Sequence, residues 1–528
     1  MVENSYEVII VGGGPVGMGL AIDLGQRGIT VAVIEQYHTP QPVPKGQNLT
    51  QRTVEHFQVW HCEDELRAAR ITPRHLANGG YNCYRTLLGE YYYEWLPREQ
   101  VRPFYNTDVE RLPQYETEAV LRKRAASLEA VTLFYGYSAD GITQHDDHVC
   151  VSASDKQTDR QITLQGRWLV GCDGSHSVIR EAAGITQTQS DHDRKMVLLV
   201  FDSEALHQLL SKLPERSFYN ALTPELEGYW QFLGRVDFGS RWFFHAPVPE
   251  GTTKDNYDFH RLLYQAVGSD FDLSLSYVGF WNLRFAHADC YRNGRVLIAG
   301  DAAHSHPPYG GYGINIGFED ARNLGWKLAG HIEGWAGEGL LASYDEERRP
   351  VFASTASDFI ENFIREDKDF LASYYPEKDE AAFRHAWNGR NQGASEVFAY
   401  EPHYEGSSVL APMDNAAPSA RGNHMMKLRI GHHMPPQLLT DGQMSYQHLA
   451  QDGFTLFTDN SQSQIVQAFK QAAQAKDIPL TIIGLLGEDA ISAYEADFFI
   501  VRPDQFVAWI GADKDADAIL SRLAGKPV

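Results

Sequence analysis

Short apolar runs alternate with amphipathic runs along the first part of the chain. Residues 6–11 (YEVIIV) are almost wholly apolar and predict a buried strand, and residues 18–27 predict the helix that follows it. Residues 30–34 predict a second strand. A similar order returns at residues 295–299, a predicted strand, and residues 317–328, a predicted amphipathic helix. This alternation predicts an α/β fold.

A glycine-rich turn joins the first predicted strand to its helix. Residues 12–17 (GGGPVG) satisfy the spacing G-x-G-x-x-G. We expect Gly12 to form a tight turn, Gly14 to let the backbone approach a pyrophosphate, and Gly17 to pack helix against strand. Glu35, at the end of the second strand, can accept a hydrogen bond from a ribose hydroxyl. An acid at this position argues against a 2′-phosphate.

Two further turns follow predicted strands. Residues 300–315 (GDAAHSHPPYGGYGIN) combine an acid at the strand tip with glycines and prolines, which fix a backbone path on which a flat ring can contact main-chain N–H groups. Residues 168–180 form a similar strand, acidic turn and helix start. Each turn alone could be an ordinary connection. Together they indicate a site for a large ligand with hydroxyls and phosphates.

These motifs resemble those of the FAD-dependent aromatic hydroxylases, the single-component flavoprotein monooxygenases of the para-hydroxybenzoate hydroxylase and phenol hydroxylase type. The resemblance implies FAD as cofactor, NADPH or NADH as reductant, and dioxygen as co-substrate. A flavin hydroperoxide would then hydroxylate a small phenolic substrate. It also implies a Rossmann-like FAD-binding domain, an antiparallel-sheet substrate domain and a C-terminal thioredoxin-like domain.

The resemblance assigns cofactor-binding roles to several motifs. Asp173 is expected near the pyrophosphate, serving both FAD and NAD(P)H, while Asp301 is expected to bind the ribityl chain and Gln114 the flavin side chain. The backbone of residues 313–315 is expected against the pyrimidine end of the flavin. The complete predicted set is Gly12, Gly14, Pro15, Val16, Gly17, Glu35, Gln36, Lys45, Gln114, Asp173, Gly174, Asp301, Pro308, Gly311, Gly313, Ile314 and Asn315.

Some positions depart from the family pattern. Tyr312 and Ile314 replace a common Gln and Met, and Lys45 replaces a common Arg; because the flavin contacts at the first two come from backbone, FAD binding should survive. Gln47 stands where several phenol-type members have Asp or His. A carboxamide can orient a phenol but cannot take its proton near pH 7, so we do not expect base catalysis there. Gln47, Tyr309 and Tyr312 are our candidates for the substrate side of the site.

The predicted domains are interleaved along the chain. Four aromatic residues of the second domain are expected to line the substrate cavity as a group: Trp230, Phe232, Trp242 and Phe244. The last domain has no C-x-x-C pair, so packing or dimer contact is expected of it. The expected boundaries are residues 1–75, 105–185 and 290–375 for FAD binding, 76–104 and 186–289 for the substrate sheet, 389–437 for a linker, and 438–528 for the thioredoxin-like domain.

Charge and cysteine usage narrow the choice of partners. A net charge of −23 argues against nucleic acid and anionic membranes. Five scattered cysteines without metal-ligand spacing favour reduced thiols, and His304 with His306 lack a third clear ligand, so no metal is expected. The first strand begins too early for a signal peptide, and no apolar run is long enough to span a membrane. We therefore expect a cytoplasmic protein, and a homodimer is the assembly considered for it.

Two other functions remain open. The same fold could act as a flavin oxidase, reductase or halogenase, although the halogenase-type motif W-x-W-x-I-P does not occur. A non-catalytic flavin-binding protein is the least favoured, because all three FAD motifs are intact. The identity of the aromatic substrate and the choice between NADH and NADPH do not follow from the sequence.

Overall fold

The chain folds into a mixed α/β structure with three principal sheets. The computed structural model describes residues 5–390, 393–512 and 515–527. The strands are β1 Ser5–Val11, β2 Val31–Glu35, β3 Asn48–Leu49, β4 Gly80–Tyr84, β5 Tyr92–Trp95, β6 Glu110–Arg111, β7 Val131–Tyr135, β8 Tyr137–Gln144, β9 Val149–Asp155, β10 Gln161–Gly171, β11 Gln187–Asp202, β12 Phe218–Leu222, β13 Trp230–Arg235, β14 Arg241–Val248, β15 Ser274–Ala288, β16 Arg292–Asn293, β17 Val296–Ile298, β18 His304–Ser305, β19 Tyr400–His403, β20 Ser419–Arg421, β21 Phe454–Thr458, β22 Leu480–Ile483, β23 Phe498–Val501 and β24 Val507–Ile510.

Helices cover both the first and the last sheet. They are α1 Pro15–Gly25, α2 Gln51–Val59, α3 Glu63–Ala68, α4 Gln114–Ala126, α5 Val178–Ala182, α6 Ala205–Leu210, α7 Phe259–Val267, α8 Tyr312–Glu333, α9 Glu338–Ser354, α10 Asn362–Ser373, α11 Glu380–Gly389, α12 Gly393–Ala399, α13 Gln464–Ala475, α14 Glu488–Tyr494 and α15 Ala516–Leu523. None of these described helices is both long and apolar enough to cross a membrane.

The first sheet has the order β16-β17-β10-β1-β2-β7, with β9 and β8 added beside β10. Strands β17, β10, β1, β2 and β7 are parallel. Val8, Ile9 and Ile10 of the central strand are fully buried, as expected for a parallel sheet covered on both faces. The strands predicted at residues 6–11, 30–34 and 295–299 are confirmed, as is the α/β fold class.

The second sheet has the order β18-β15-β11-β14-β13-β12-β4-β5 and is antiparallel except for the β12–β4 pair. Its inner face, defined here by Phe218, Phe232, Phe243 and His245, is opposite the face packed on helices α6 and α7. Phe232 pairs with His245, and Gly234 pairs with both Phe218 and Phe243, which places these positions on one side.

The expectation that four aromatics line one cavity was wrong for two of them. Trp242 and Phe244 lie on the opposite side from Phe232, because the register pairs Phe244 with Leu233. They belong to a buried apolar cluster that includes Leu206 of α6 and Leu263 of α7. Trp230 contacts Tyr309, which lies in the loop of residues 300–315, with ring centroids 4.8 Å apart.

The segment predicted as a linker, residues 389–437, contains helix α12 and the antiparallel pair β19–β20. Each element is at most seven residues long, which is too short to produce a detectable hydrophobic period. Beyond it, β21–β24 form a sheet of order β22-β21-β23-β24 with helices α13, α14 and α15. The elements follow one another in the order β-α-β-α-β-β-α.

A buried ion-pair network fixes this C-terminal domain against helices α8 and α9. The guanidinium of Arg502 donates to the two Glu347 carboxylate oxygens at 2.7 and 2.9 Å, and Lys327 Nζ donates to the same carboxylate at 2.6 Å. Asp504 also accepts from Arg502. Burial alone would raise the pKa of Glu347, but Arg502 and Lys327 outweigh it and hold that pKa well below its ordinary range.

Replacing Glu347 by glutamine should destabilise the protein by about 3–5 kcal/mol, because buried Lys327 loses the carboxylate it binds and Arg502 loses one of its two, while the shape is kept. Denaturant unfolding of the FAD-loaded protein measures this. Glu129→Gln, at an exposed position, is the matched control and should change stability by less than about 0.5 kcal/mol. Equal unfolding midpoints for the two variants would show that the network does not support the interface.

Candidate active site

Three motifs that are far apart in the chain meet at one edge of the first sheet. Strands β1, β10 and β17 lie side by side and parallel, so their carboxyl ends share that edge. Cys172 N donates to Val11 O at 2.7 Å, and Ala299 N donates to Gly171 O at 3.0 Å. The turns that begin at Gly12, Cys172 and Gly300 therefore surround one cleft, as open α/β sheets commonly provide for ligands.

The glycines of the first turn are needed for different reasons. Gly12 has a φ of +105°, and a Cβ there would lie 2.2 Å from Cys172 O. A Cβ on Gly17 would lie 1.9 Å from Gly12 O, so this residue allows helix α1 to approach the strand. A Cβ on Gly14 would meet no atom within 4 Å. Gly14 thus leaves open space in front of the helix N-terminus, which is where an anionic pyrophosphate fits.

Residues around the first turn order its backbone. Pro15 occupies the first turn of α1, and Val16 packs against Gly300 of the cofactor loop, defined here as residues 300–315. The Glu35 carboxylate, 7% exposed, accepts from Gly13 N and Tyr37 N, each at 2.7 Å. The predicted ribose acceptor is therefore already positioned by the protein.

Three other predicted cofactor residues lie at the edge of the cleft. Gln36 accepts from Lys156 Nζ at 2.6 Å on the surface. Gln114 accepts from Gly46 N at 3.0 Å and donates to Glu118 at 2.8 Å, so its amide connects α4 to the segment before β3. Lys45 is exposed, and its charge partly opposes the burial that raises the pKa of Asp301.

Asp173 stabilises the turn in which it lies. It accepts from Ser177 Oγ and from Ile179 N, the latter at 3.1 Å, so it caps the short helix α5. Gly174 follows with a φ of +84°. Arg180 on α5 donates to Ala302 O at 3.0 Å, which connects this turn to the cofactor loop.

Asp301 stands at the tip of β17 and is accessible to solvent. Protein atoms around the carboxyl nevertheless reduce its hydration and raise its pKa, against the opposing charges of His304 and Lys45. Asp320 holds the loop from behind: it accepts from Gly300 N at 3.0 Å, His304 at 2.6 Å and Arg348 at 2.8 Å. Sequence reasoning missed this buried aspartate because its partners are distant in the chain.

The end of the cofactor loop presents the N-terminus of helix α8. Gly311 has a φ of +69° and precedes Tyr312, the first residue of the helix. The backbone N–H groups of residues 312–314 lack acceptors within the helix and carry its positive dipole end. This arrangement suits negative charge on a bound ring. Pro308 is exposed at the start of the same turn.

Asn315 connects this helix to the segment around β3. Its amide nitrogen donates to Asn48 O at 2.9 Å and Gly311 O at 2.6 Å, and its oxygen accepts from Thr50 N at 2.9 Å. Ile314 packs against Gly46, where a Cβ would lie 3.2 Å from the Ile314 side chain. Gly313 adjoins His306, 3.7 Å from its own Cβ position.

The two candidate tyrosines have buried acids as partners. Tyr312 OH donates to Glu396 at 2.6 Å, and Tyr309 hydrogen-bonds to Asp367. Burial raises the pKa of both tyrosines well above its ordinary value. Burial also raises the pKa of Glu396 to about 7, against hydrogen bonds from Tyr312 and Trp95 and the charge of Arg98. The sequence carried no signal for these acids.

A group of buried polar atoms without hydrogen-bond partners lies between the cofactor loop and the inner face of the second sheet. Native proteins rarely leave such atoms unpaired, and a ligand is one explanation. His245 is on the inner face, His306 is in the loop, and residues 47 and 48 adjoin Gly46 and Gly311. The atoms are Gln47 Nε2, Asn48 Nδ2 and Oδ1, Arg111 Nε and Nη2, His245 Nδ1 and His306 Nε2.

Several histidines lie against acidic side chains. His304 lies 2.6 Å from Asp320, and His433 lies 2.8 Å from Glu55. His432 lies between two carboxylates, 3.0 Å from Glu401 and 2.9 Å from Glu405.

Glutamine at position 396 should make the protein less sensitive to rising pH. The folded pKa of Glu396 is about 7, above its ordinary 4.5, so the unfolded state loses its proton first and stability falls between these pH values. Glu396→Gln removes this loss. As the pH rises from 5 to 8, its free energy of unfolding should increase by about 2 kcal/mol relative to that of wild type. Unfolding midpoints at four pH values test this. Parallel profiles for the two proteins would contradict it, and Glu129→Gln should follow wild type.

Two protein-family models match this chain. The family model described as "FAD binding domain" matches residues 5–358, and the model "Aromatic-ring hydroxylase, C-terminal" matches residues 427–527. A 4-methyl-5-nitrocatechol 5-monooxygenase from a Burkholderia species is 29% identical over 97% of this chain and 96% of that protein. A putative polyketide hydroxylase from Streptomyces coelicolor is 32% identical over 66% of this chain, but the match spans only 56% of that relative's length.

Two solved structures of flavin enzymes are similar to this chain over nearly its whole length. The flavin-dependent monooxygenase PieE, in complex with FAD and substrate, superposes with a TM-score of 0.86 at 22% identity, covering 99% of this chain and all of the other. RebC with reduced flavin gives a TM-score of 0.84 at 26% identity over 99% of both chains. This chain therefore shares its fold with flavin enzymes. The two family matches show that it belongs to the FAD-binding aromatic-ring hydroxylases, a family of flavin monooxygenases.

Proposed function

We propose that the protein is an NAD(P)H-dependent monooxygenase that hydroxylates a small phenolic substrate. The observation that carries this proposal is the group of unpartnered buried polar atoms between the cofactor loop and the inner face of the second sheet. Aromatic side chains of the inner face lie beside that group: Phe232 lies 5.4 Å from Phe218 and 5.6 Å from Phe243, centroid to centroid. Such a combination of apolar walls and few polar groups is typical of a site for an aromatic ring with polar substituents.

The residues that would hold FAD fit its three parts. The open space at Gly14 suits the pyrophosphate, Glu35 suits the adenosine ribose, and Asp301 suits the ribityl hydroxyls. The backbone N–H groups of residues 312–314 would stabilise negative charge at the pyrimidine end of a reduced flavin. When bound, FAD would supply the chemistry by which electrons from NAD(P)H activate dioxygen.

The protein's own side chains would position the substrate and exclude water. Gln47 offers an amide and His245 an imidazole for hydrogen bonding. Burial lowers the pKa of His245 to about 4, so this ring is neutral at pH 7 and can accept a hydrogen bond from a phenol hydroxyl. His306 is likewise neutral, because burial lowers its pKa to about 4. The stacked aromatics of the inner face keep bulk water from the reacting carbon.

The proposed substrate class rests on one relative. That relative is matched over nearly its whole length and is named for a nitrocatechol, which supports a single substituted ring. Two features remain part of this proposal: use of NADH or NADPH, and a cytoplasmic homodimer.

A methyl group at position 14 should weaken FAD binding. The backbone at Gly14 has a φ of −74°, which alanine adopts freely, and its Cβ would contact no protein atom. The methyl would instead occupy the space expected for the pyrophosphate and lower FAD affinity by about 10- to 100-fold. Flavin fluorescence titration of the apoprotein measures the affinity. Gly389→Ala, another glycine with open space around it, is the control, and unchanged FAD binding in Gly14→Ala would place the pyrophosphate elsewhere.

Phenols should stimulate NAD(P)H oxidation by the FAD-loaded enzyme and gain one oxygen atom. A panel of catechols and substituted phenols, with their methyl ethers as matched controls, tests this by oxygen uptake and product mass. Isotopically labelled dioxygen should label the product. Reductant oxidation that no phenol accelerates, or halide-dependent products, would favour an oxidase, a reductase or a halogenase instead.

A further inference from the structure

Arg111 carries a buried guanidinium that no acidic side chain of the described residues neutralises. The residue is 3% exposed, and its Nε and Nη2 atoms have no hydrogen-bond partner. These two atoms form the edge of a guanidinium that binds two coplanar oxygens. Arg52 shows the ordinary use of that edge: its Nε and Nη2 donate to the two oxygens of Glu319, each at 3.0 Å.

The position of Arg111 places this edge between the cofactor loop and the second sheet. Strand β6 pairs with β3, so Arg111 lies opposite Asn48, and Asn48 contacts Gly311 of the loop. On its other side the guanidinium lies 5.0 Å from the ring centroid of Phe218. A Cβ on Gly234 would lie 3.2 Å from Arg111 Nη2, so the glycine leaves the room that the guanidinium occupies.

An unpaired cation in this position is costly in the free protein. Burial, reinforced by the nearby charge of Arg98, lowers the pKa of Arg111 to about 9, which still leaves it charged at neutral pH. A buried charge without a counter-charge is destabilising, whereas an anion that arrives with a ligand would complete the pair. The neighbouring amide of Asn48, also without a partner, offers a further donor and acceptor.

We propose that Arg111 binds a planar two-oxygen group with negative charge on its oxygens, a carboxylate or nitro substituent of the aromatic substrate. This inference rests on the proposed function for its assumption that the ligand at this site is the substrate. The fork of Nε and Nη2 matches both groups in shape. Phe218 and the rest of the inner face would flank the ring itself. Arg111 would thus determine which phenols are accepted, without taking part in oxygen transfer.

Ligand titrations of the oxidised, FAD-loaded enzyme test this without any reductant. Three catechols differ only at one ring position: 4-nitrocatechol, 3,4-dihydroxybenzoate and 4-methylcatechol. The change in flavin absorbance gives each Kd. Wild type should bind the nitro or the carboxylate compound, or both, more tightly than the methyl compound. The pair of arms identifies which group is preferred.

Arg111→Met should weaken binding of the preferred compound by about 10- to 100-fold, the cost of charge-assisted hydrogen bonds, and change 4-methylcatechol by less than about threefold. Arg384→Met, which removes an exposed arginine far along the chain, should leave all three Kd values unchanged. Arg111→Lys keeps the charge but not the two-pronged guanidinium, and it replaces the methionine variant in the test if that variant does not retain FAD. Its affinity for the preferred compound should fall at least about fivefold.

Equal Kd values for wild type and the lysine variant, or a wild type that binds 4-methylcatechol as tightly as the other two, would overturn the role of Arg111. The proposed hydroxylation is tested independently of this result. Arginine-dependent binding without any hydroxylated product would count against the reaction only, and hydroxylation without arginine-dependent binding would count against this inference only.

Discussion

The parallel pairing of β1, β10 and β17 is the constraint on which the rest of the molecule depends. The register places Val11 beside Gly171 and Gly171 beside Ile298, so all three strands end in one row. The turns that follow them are separated by well over a hundred residues in sequence, yet they start at adjacent points in space. Since a slip of one residue would turn every side chain of a strand to the other face, the buried apolar residues of β1 fix the geometry of the cleft as well as its stability.

Helix α8 transmits this geometry to the rest of the protein. Its N-terminus ends the cofactor loop, while its buried polar side chains contact α2, β18, α9 and the C-terminal domain. Glu319 binds Arg52 and His56, and Lys327 shares Glu347 with Arg502. Burial, then the charge of Arg52, lowers the pKa of His56 to about 4, so that ring adds no charge to the helix at pH 7. The thioredoxin-like domain therefore helps to position the N-terminus of α8, the helix end at which we expect the flavin, although the domain has no redox cysteines.

Local sequence pattern was enough for the main strands and helices of the first and last sheets and for the glycine turns, because these follow from periodicity and from the steric needs of positions such as Gly12 and Gly17. It was not enough for features that depend on register or on distant partners. The inward or outward direction of Phe244 is set by its pairing with Leu233 on another strand. The acids that bind Tyr309 and Tyr312 are Asp367 on α10 and Glu396 on α12, each more than fifty residues away from its tyrosine in the chain. Arg111 is the same kind of case, since only the folded chain shows that it lacks a counter-charge.

Cys172, whose carbonyl oxygen excludes any side chain from Gly12, also has its Cβ 3.2 Å from the position that a Cβ on Gly17 would take, so its side chain packs against the glycine turn. Burial raises the pKa of this thiol well above its ordinary value, with Asp173 and Asp320 adding to the effect. The sulfur therefore stays protonated at cellular pH. Since the thiolate is the form that reacts with peroxides, this cysteine resists oxidation. For a protein that, on the function proposed, activates dioxygen, the packing that shapes the glycine turn would also keep this thiol in its less reactive form.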